Sequence, residues 1–121
     1  DAVRWAASTV PATTLPALLA RFPHVVGVKI DAQGAEVPMV DSVAAWGRVR
    51  KLVLEYDFEY RPSLKAFHAF VARLRRHFPL IHHPTLKRSG DFVGFPNGVL
   101  VFALRPDPGG TEAGASGTLY I

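Results

Sequence analysis

The chain has 121 residues, a length that suits one small domain and leaves no room for two. With 49% apolar and 20% charged residues it is ordinary globular material, not a disordered, collagen-like or coiled-coil chain. The absence of cysteine excludes disulfides, thiolate zinc sites and cysteine nucleophiles, and a net charge of +4 permits an anionic partner without requiring one.

Thr14 is a fair N-cap for a first short helix, Leu15 to Phe22, with Leu15, Leu18, Leu19 and Phe22 on one apolar face and Pro23 as its stop. The run Val25 to Asp31 is β-branched and nearly unbroken, which predicts a strand covered on both faces. Gln33-Gly34-Ala35-Glu36 then turns the chain into a second helix, about Val37 to Trp46, with Pro38 in its first turn. Arg50 to Tyr56 is a second strand of buried type. Ser63 caps the clearest helix, Leu64 to Phe78, whose apolar face is built on Phe67, Phe70, Val71, Leu74 and Phe78. A short extended segment follows Pro79, then a loop from Gly90 to Gly98 and a third strong strand, Val99 to Leu104. The residues 106–121 are rich in Pro and Gly, without periodicity, and read as a flexible tail to a domain of residues 1–105.

Strands alternating with helices give an α/β class, the first two strands parallel and the last two an antiparallel hairpin. In such sheets ligands bind outside the carboxyl ends of the strands. Asp31 and Glu55 both fall at that edge. Lys29 shares a strand face with Asp31, and a lysine in a buried strand needs a partner, which Asp31 or Glu55 would supply. Glu36 lies in a helix's first turn, where a carboxylate is favoured by the dipole. The alternative reading makes these residues ordinary strand ends and helix starts.

Adjacent strand residues point to opposite faces, so His82 and His83 chelate one ion poorly, and no metal site is expected. The basic stretch Arg73 to His77 would touch phosphates in a nucleic-acid-binding module, but such a run is more often a solvated helix end. No phosphate loop, nucleophile elbow or dinucleotide fingerprint occurs.

The segments Val10-Pro11-Ala12-Thr13-Thr14-Leu15, Val28 to Glu36 (VKIDAQGAE) and Leu52 to Tyr56 (LVLEY) together resemble the FkbM family of S-adenosylmethionine-dependent methyltransferases. The likeness runs from Val10 to Leu104 and corresponds to the C-terminal half of the family's domain. It implies a Rossmann-like methyltransferase sheet of which only that half is present: two parallel strands, a C-terminal antiparallel hairpin, and helices. It further implies O-methylation of a small molecule or sugar. Asp31, Glu36 and Glu55 would be the catalytic carboxylates, and Lys29, Gln33, Gly34 and Tyr56 would lie near substrate or cofactor. Gln33 stands where the family has Glu, and the Gly-rich strand–turn that cradles the cofactor is missing. S-adenosylmethionine should therefore bind this chain alone weakly or not at all.

The resemblance also leaves the outer edge of the Val25–Asp31 strand unpaired, which invites a homodimer through that edge. Asp1 in place of an initial Met points to an excerpt of a longer polypeptide. A non-catalytic remnant serving as a binding or assembly module is the alternative function. No apolar run approaches the ~20 residues that span a bilayer, no signal peptide is visible, and neither a membrane nor a nucleic acid is an expected partner. The sequence does not fix the compartment, which is cytoplasmic only by default.

Overall fold

A computed structural model describes residues 12–84, 98–106 and 117–121. Their elements are α1 (Leu15–Arg21), β1 (Gly27–Ile30), α2 (Glu36–Asp41), β2 (Lys51–Asp57), α3 (Leu64–Leu74), β3 (Leu80–His82), β4 (Gly98–Leu104) and β5 (Thr118–Tyr120). The predicted loop from Gly90 falls outside the described residues up to position 97.

The helices begin where side chains can satisfy their orphan amides. The Thr14 hydroxyl accepts from the Ala17 N–H at 3.2 Å, and the Ser63 hydroxyl accepts from the Ala66 N–H at 3.1 Å. α3 stops four residues earlier than its apolar periodicity suggests. Pro79 disfavours helical backbone at Phe78, and the last turn tightens through Arg76 N–H to Arg73 C=O (3.2 Å) and His77 N–H to Leu74 C=O (3.0 Å). α2 is shorter still than expected. The Ser42 hydroxyl donates back to the Met39 carbonyl at 2.6 Å, a bond that competes with helix continuation. Beyond it the chain turns so that Val43, Trp46 and Val49 all reach the core.

Among the described residues the strands form one mixed, open five-stranded sheet in the order β3-β4-β2-β1-β5. β1 pairs in parallel with β2, and β4 runs antiparallel to both β2 and β3. The fold is thus α/β, and its parallel pair and antiparallel hairpin match the sequence reading.

Two features differ from that reading. The end of the predicted flexible tail is strand β5, parallel to β1, with Gly27 opposite Thr118 and Lys29 opposite Tyr120. Its stretch Thr118-Leu119-Tyr120 has the β-branched and aromatic character that fits a pleated surface. β5 covers the edge of β1 that was expected to be bare, which removes the basis for a homodimer through that edge.

The second difference is that β1 is covered on one face, not two. Val28 and Ile30 are buried while Lys29 is exposed. The same alternation runs through β2 and β4, where Leu52, Leu54, Tyr56, Val99, Val101 and Ala103 point inward. These inward residues share one core with Leu15, Val37, Val40, Phe67, Phe70, Val71 and Leu74, so the helices described lie on that face. Tyr56 and Phe67 meet edge to face at 4.9 Å, and Trp46 meets Phe78 at 5.2 Å. Each such aromatic contributes about 2–3 kcal/mol by leaving water. Arg105, just past β4, ties the 47–49 loop to the sheet. Its guanidinium donates to the Gly47 carbonyl at 2.6 Å and to that of Val49, and lies 5.6 Å over the Phe78 ring.

Candidate functional site

The parallel strands β1 and β2 end side by side, and their carboxyl ends carry Asp31 and the run Glu55 to Tyr60. After β1 the backbone makes a tight turn. Gln33 (φ +46°) and Gly34 (φ +103°) are both left-handed, and the Ala35 N–H donates to the Ala32 carbonyl at 3.2 Å. Two successive positive φ values favour glycine or a short polar residue. Gly34 is further constrained by Tyr60, because a Cβ there would come within 2.9 Å of the tyrosine ring.

Glu36 locks this turn. It is fully buried (0% exposed), and its two carboxylate oxygens accept from different parts of the chain. Oε2 takes the Gly34 N–H at 2.8 Å and Oε1 takes the Asp57 N–H at 2.9 Å. The turn after β1 is thereby fastened to the last residue of β2. Arg61 adds a longer bond, its Nη2 donating to the Gly34 carbonyl at 3.5 Å. The Asp57 carboxylate accepts the Glu59 N–H at 2.9 Å, which bends the chain away from the sheet.

Between these fixed points lies an open cleft of about 310 Å³, lined by Asp31, Gln33, Glu55, Asp57, Glu59 and Tyr60. Four of the six are carboxylates, so the cleft attracts hydroxyl and cationic groups and repels phosphate. Among the described residues no three potential ligands converge closely enough to hold a metal ion.

Of the residues singled out in the sequence, Asp31, Gln33 and Glu55 come together in this cleft. The others do not join them. Glu36 is sealed beneath the rim and acts on its shape. Gly34 is covered by Tyr60. Lys29 is exposed on the open face of the sheet, and among the described residues it forms no ion pair with Asp31 or Glu55, because it is not buried and needs none. Tyr56 points into the core, 1% exposed, between Phe58, Phe67 and Phe70; this burial pushes its phenol up from its ordinary value.

Asp57, Glu59 and Tyr60 were missed; a signal existed for the two carboxylates but not for Tyr60, which the alternation of its stretch would turn toward the core and which is 62% exposed. Glu55-Tyr56-Asp57-Phe58-Glu59-Tyr60 alternates acidic and aromatic residues at period two, which places every carboxylate on the side away from the core.

The other charged stretch has a structural use. Arg73, from the basic end of α3, makes a two-pronged pair with Asp41 of α2 at 3.1 and 3.0 Å and lies 5.8 Å over the Phe70 ring. That bond raises the pKa of its guanidinium, and it withdraws one cation from any phosphate-binding role. No described helix is long and apolar enough to cross a membrane.

Compared with known proteins, the chain matches no family model, no curated protein and no solved structure. Its own geometry therefore carries the functional reading. The rim's Gly-containing turn has spent its Gly34 N–H on Glu36, and Tyr60 covers the glycine, so the turn presents no cradle of free amides.

Proposed function

We propose that the chain is the acceptor side of an O-methyltransferase-type domain, acting on a hydroxyl of a small molecule or sugar. The observation that carries this reading is the carboxylate cleft at the carboxyl ends of two adjacent parallel strands, held open by a buried glutamate. The order β3-β4-β2-β1, with β4 antiparallel to β2, supports the likeness to the C-terminal half of a Rossmann-like methyltransferase sheet.

In this reading Asp31 receives the proton of the acceptor hydroxyl, and Glu55 and Asp57 orient the neighbouring hydroxyls. Positioned proton acceptors contribute roughly 10²–10⁴-fold. Glu36 touches no substrate and acts as a positioning residue. S-adenosylmethionine, the methyl source the reading implies, would be held by residues other than the 32–36 turn, whose Gly34 N–H is already bonded to Glu36.

The test is methyl transfer by a polypeptide that carries these residues together with a cofactor-binding half. Asp31→Ala should lower kcat by at least about a hundredfold and leave cofactor affinity unchanged. Unaltered turnover would remove Asp31 from the chemistry.

A second reading, a non-catalytic module of the same ancestry, is favoured by the committed Gly34 amide and by Gln33 in place of a carboxylate. Titration calorimetry with S-adenosylhomocysteine separates the two. Micromolar binding by these 121 residues would contradict the non-catalytic reading.

A further inference from the structure

The helices described cover one face of the sheet. The opposite face carries an apolar stripe on its β3–β4 side, with Leu80 63%, Leu100 46%, Phe102 40% and Leu104 42% exposed. Antiparallel strands commonly leave one face to water, but that face is then polar, whereas contiguous apolar patches mark interaction surfaces.

The pattern on that face says what fits it. Along β2 the outward side chains run Lys51, Val53, Glu55. On the antiparallel neighbour β4 their partners are Leu104, Phe102 and Leu100 in the same order. The first row is antisymmetric in charge about Val53, and the second is symmetric in character about Phe102. A two-fold axis lying along the Val53–Phe102 row therefore brings Lys51 of one copy over Glu55 of the other. It also sets Leu104 over Leu100 and Phe102 over its own counterpart. A patch that is its own complement under a two-fold operation is what an isologous dimer requires.

We infer that a second copy of this chain covers the open face, sheet against sheet, about the Val53–Phe102 row. The five strands span roughly 19 Å across and the longer ones about 20 Å along, so face-to-face packing removes on the order of 1,000 Å² in total, near the lower end for specific pairs. Lys29, one strand further out, is in register with Val53, so the axis sets it opposite its own counterpart, a like-charge contact that works against the pair. The roughly 30° rotation between aligned sheets swings the two strands apart and lets both ammonium groups reach water. Glu55 also lines the carboxylate cleft, so pairing on this face and entry of an acceptor compete for it, although the inference does not rest on the methyltransferase reading. In a complete domain of that kind a helical layer would occupy the same face, but the described residues supply none.

Sedimentation of the 121-residue chain from about micromolar to hundreds of micromolar tests it. A reversible monomer–dimer equilibrium is expected. Phe102→Glu should weaken it at least about a hundredfold and Lys51→Glu about tenfold, while the double variant Lys51→Glu/Glu55→Lys should return to within about threefold of the parent. Circular dichroism checks that each variant is folded; if Phe102→Glu is not, the charge-swap series decides. A chain that stays monomeric, a dimer indifferent to Phe102→Glu, or a double swap no better than the single change would overturn the inference.

Discussion

The buried carboxylate of Glu36 and the backbone N–H of Asp57 meet at 2.9 Å, although 21 residues separate them in the chain. With the second bond to Gly34, this contact makes the rim of the sheet a product of the interior. Removing it by Glu36→Ala strands two amides and should cost about 2–4 kcal/mol. Glu36→Gln keeps one acceptor but turns an NH₂ toward an amide, and should cost less than Ala. Denaturant midpoints for the two variants check this, and a change under about 0.5 kcal/mol in both would contradict the clamp.

Gly34 should resist substitution for two separable reasons. Its φ of +103° strains any L side chain, and a Cβ would press on the Tyr60 ring. Gly34→Ala is expected to lose about 1–3 kcal/mol. Adding Tyr60→Ala should recover only the steric part, and full recovery in thermal unfolding would show that the backbone conformation costs nothing.

Tyr56 gives an alkaline signature. Burial raises its phenol from the ordinary value of 10.0, because the charged form is disfavoured in the core. A group whose folded pKa lies above its unfolded one contributes stability below the unfolded value and loses it as pH rises through the folded value. Stability should therefore fall above about pH 10, and more steeply in the parent than in Tyr56→Phe. Parallel curves for the two proteins across that window would refute the assignment.

β5 should be visible by hydrogen exchange. The Asp31 N–H donates to the Ile121 carbonyl at 2.9 Å, and the Ile121 N–H donates to the Lys29 carbonyl at 2.8 Å. A chain shortened to end at Ser116 should exchange the Asp31 amide at least about tenfold faster, with the Phe67 and Phe70 amides unchanged. Equal protection in the two chains would mean that β5 does not pair in solution.

Much of the architecture could be read from local chemistry. Thr14 and Ser63 marked their helices because a capping oxygen works at a fixed short distance, and the β-branched run around Val28 marked β1. Burial on only one side of the sheet was harder to see, since Lys29 sits alone among apolar neighbours and looks like an exception to a buried strand. The period-two signal in Glu55 to Tyr60 was present but extends past the apolar run that defined β2. The place of β5 was not legible, because pairing between Gly27 and Thr118 depends on contacts about ninety residues apart, which no local pattern encodes. Glu36 shows the same limit. The resemblance of its segment to a methyltransferase motif suggested chemistry, whereas its depth follows from the closing of β2 against the turn.

The inward anchoring of the 32–36 turn also governs when the cleft can come apart. Most exposed loops fray at little cost, well before the domain melts. Here loosening the turn means breaking both hydrogen bonds that Glu36 makes inside the protein and opening the packing around it, so the rim and the hydrophobic centre should give way together. Proteases should find no early cut at Gln33–Gly34, and a ligand arriving at the cleft should meet walls already set, with little ordering left for it to impose.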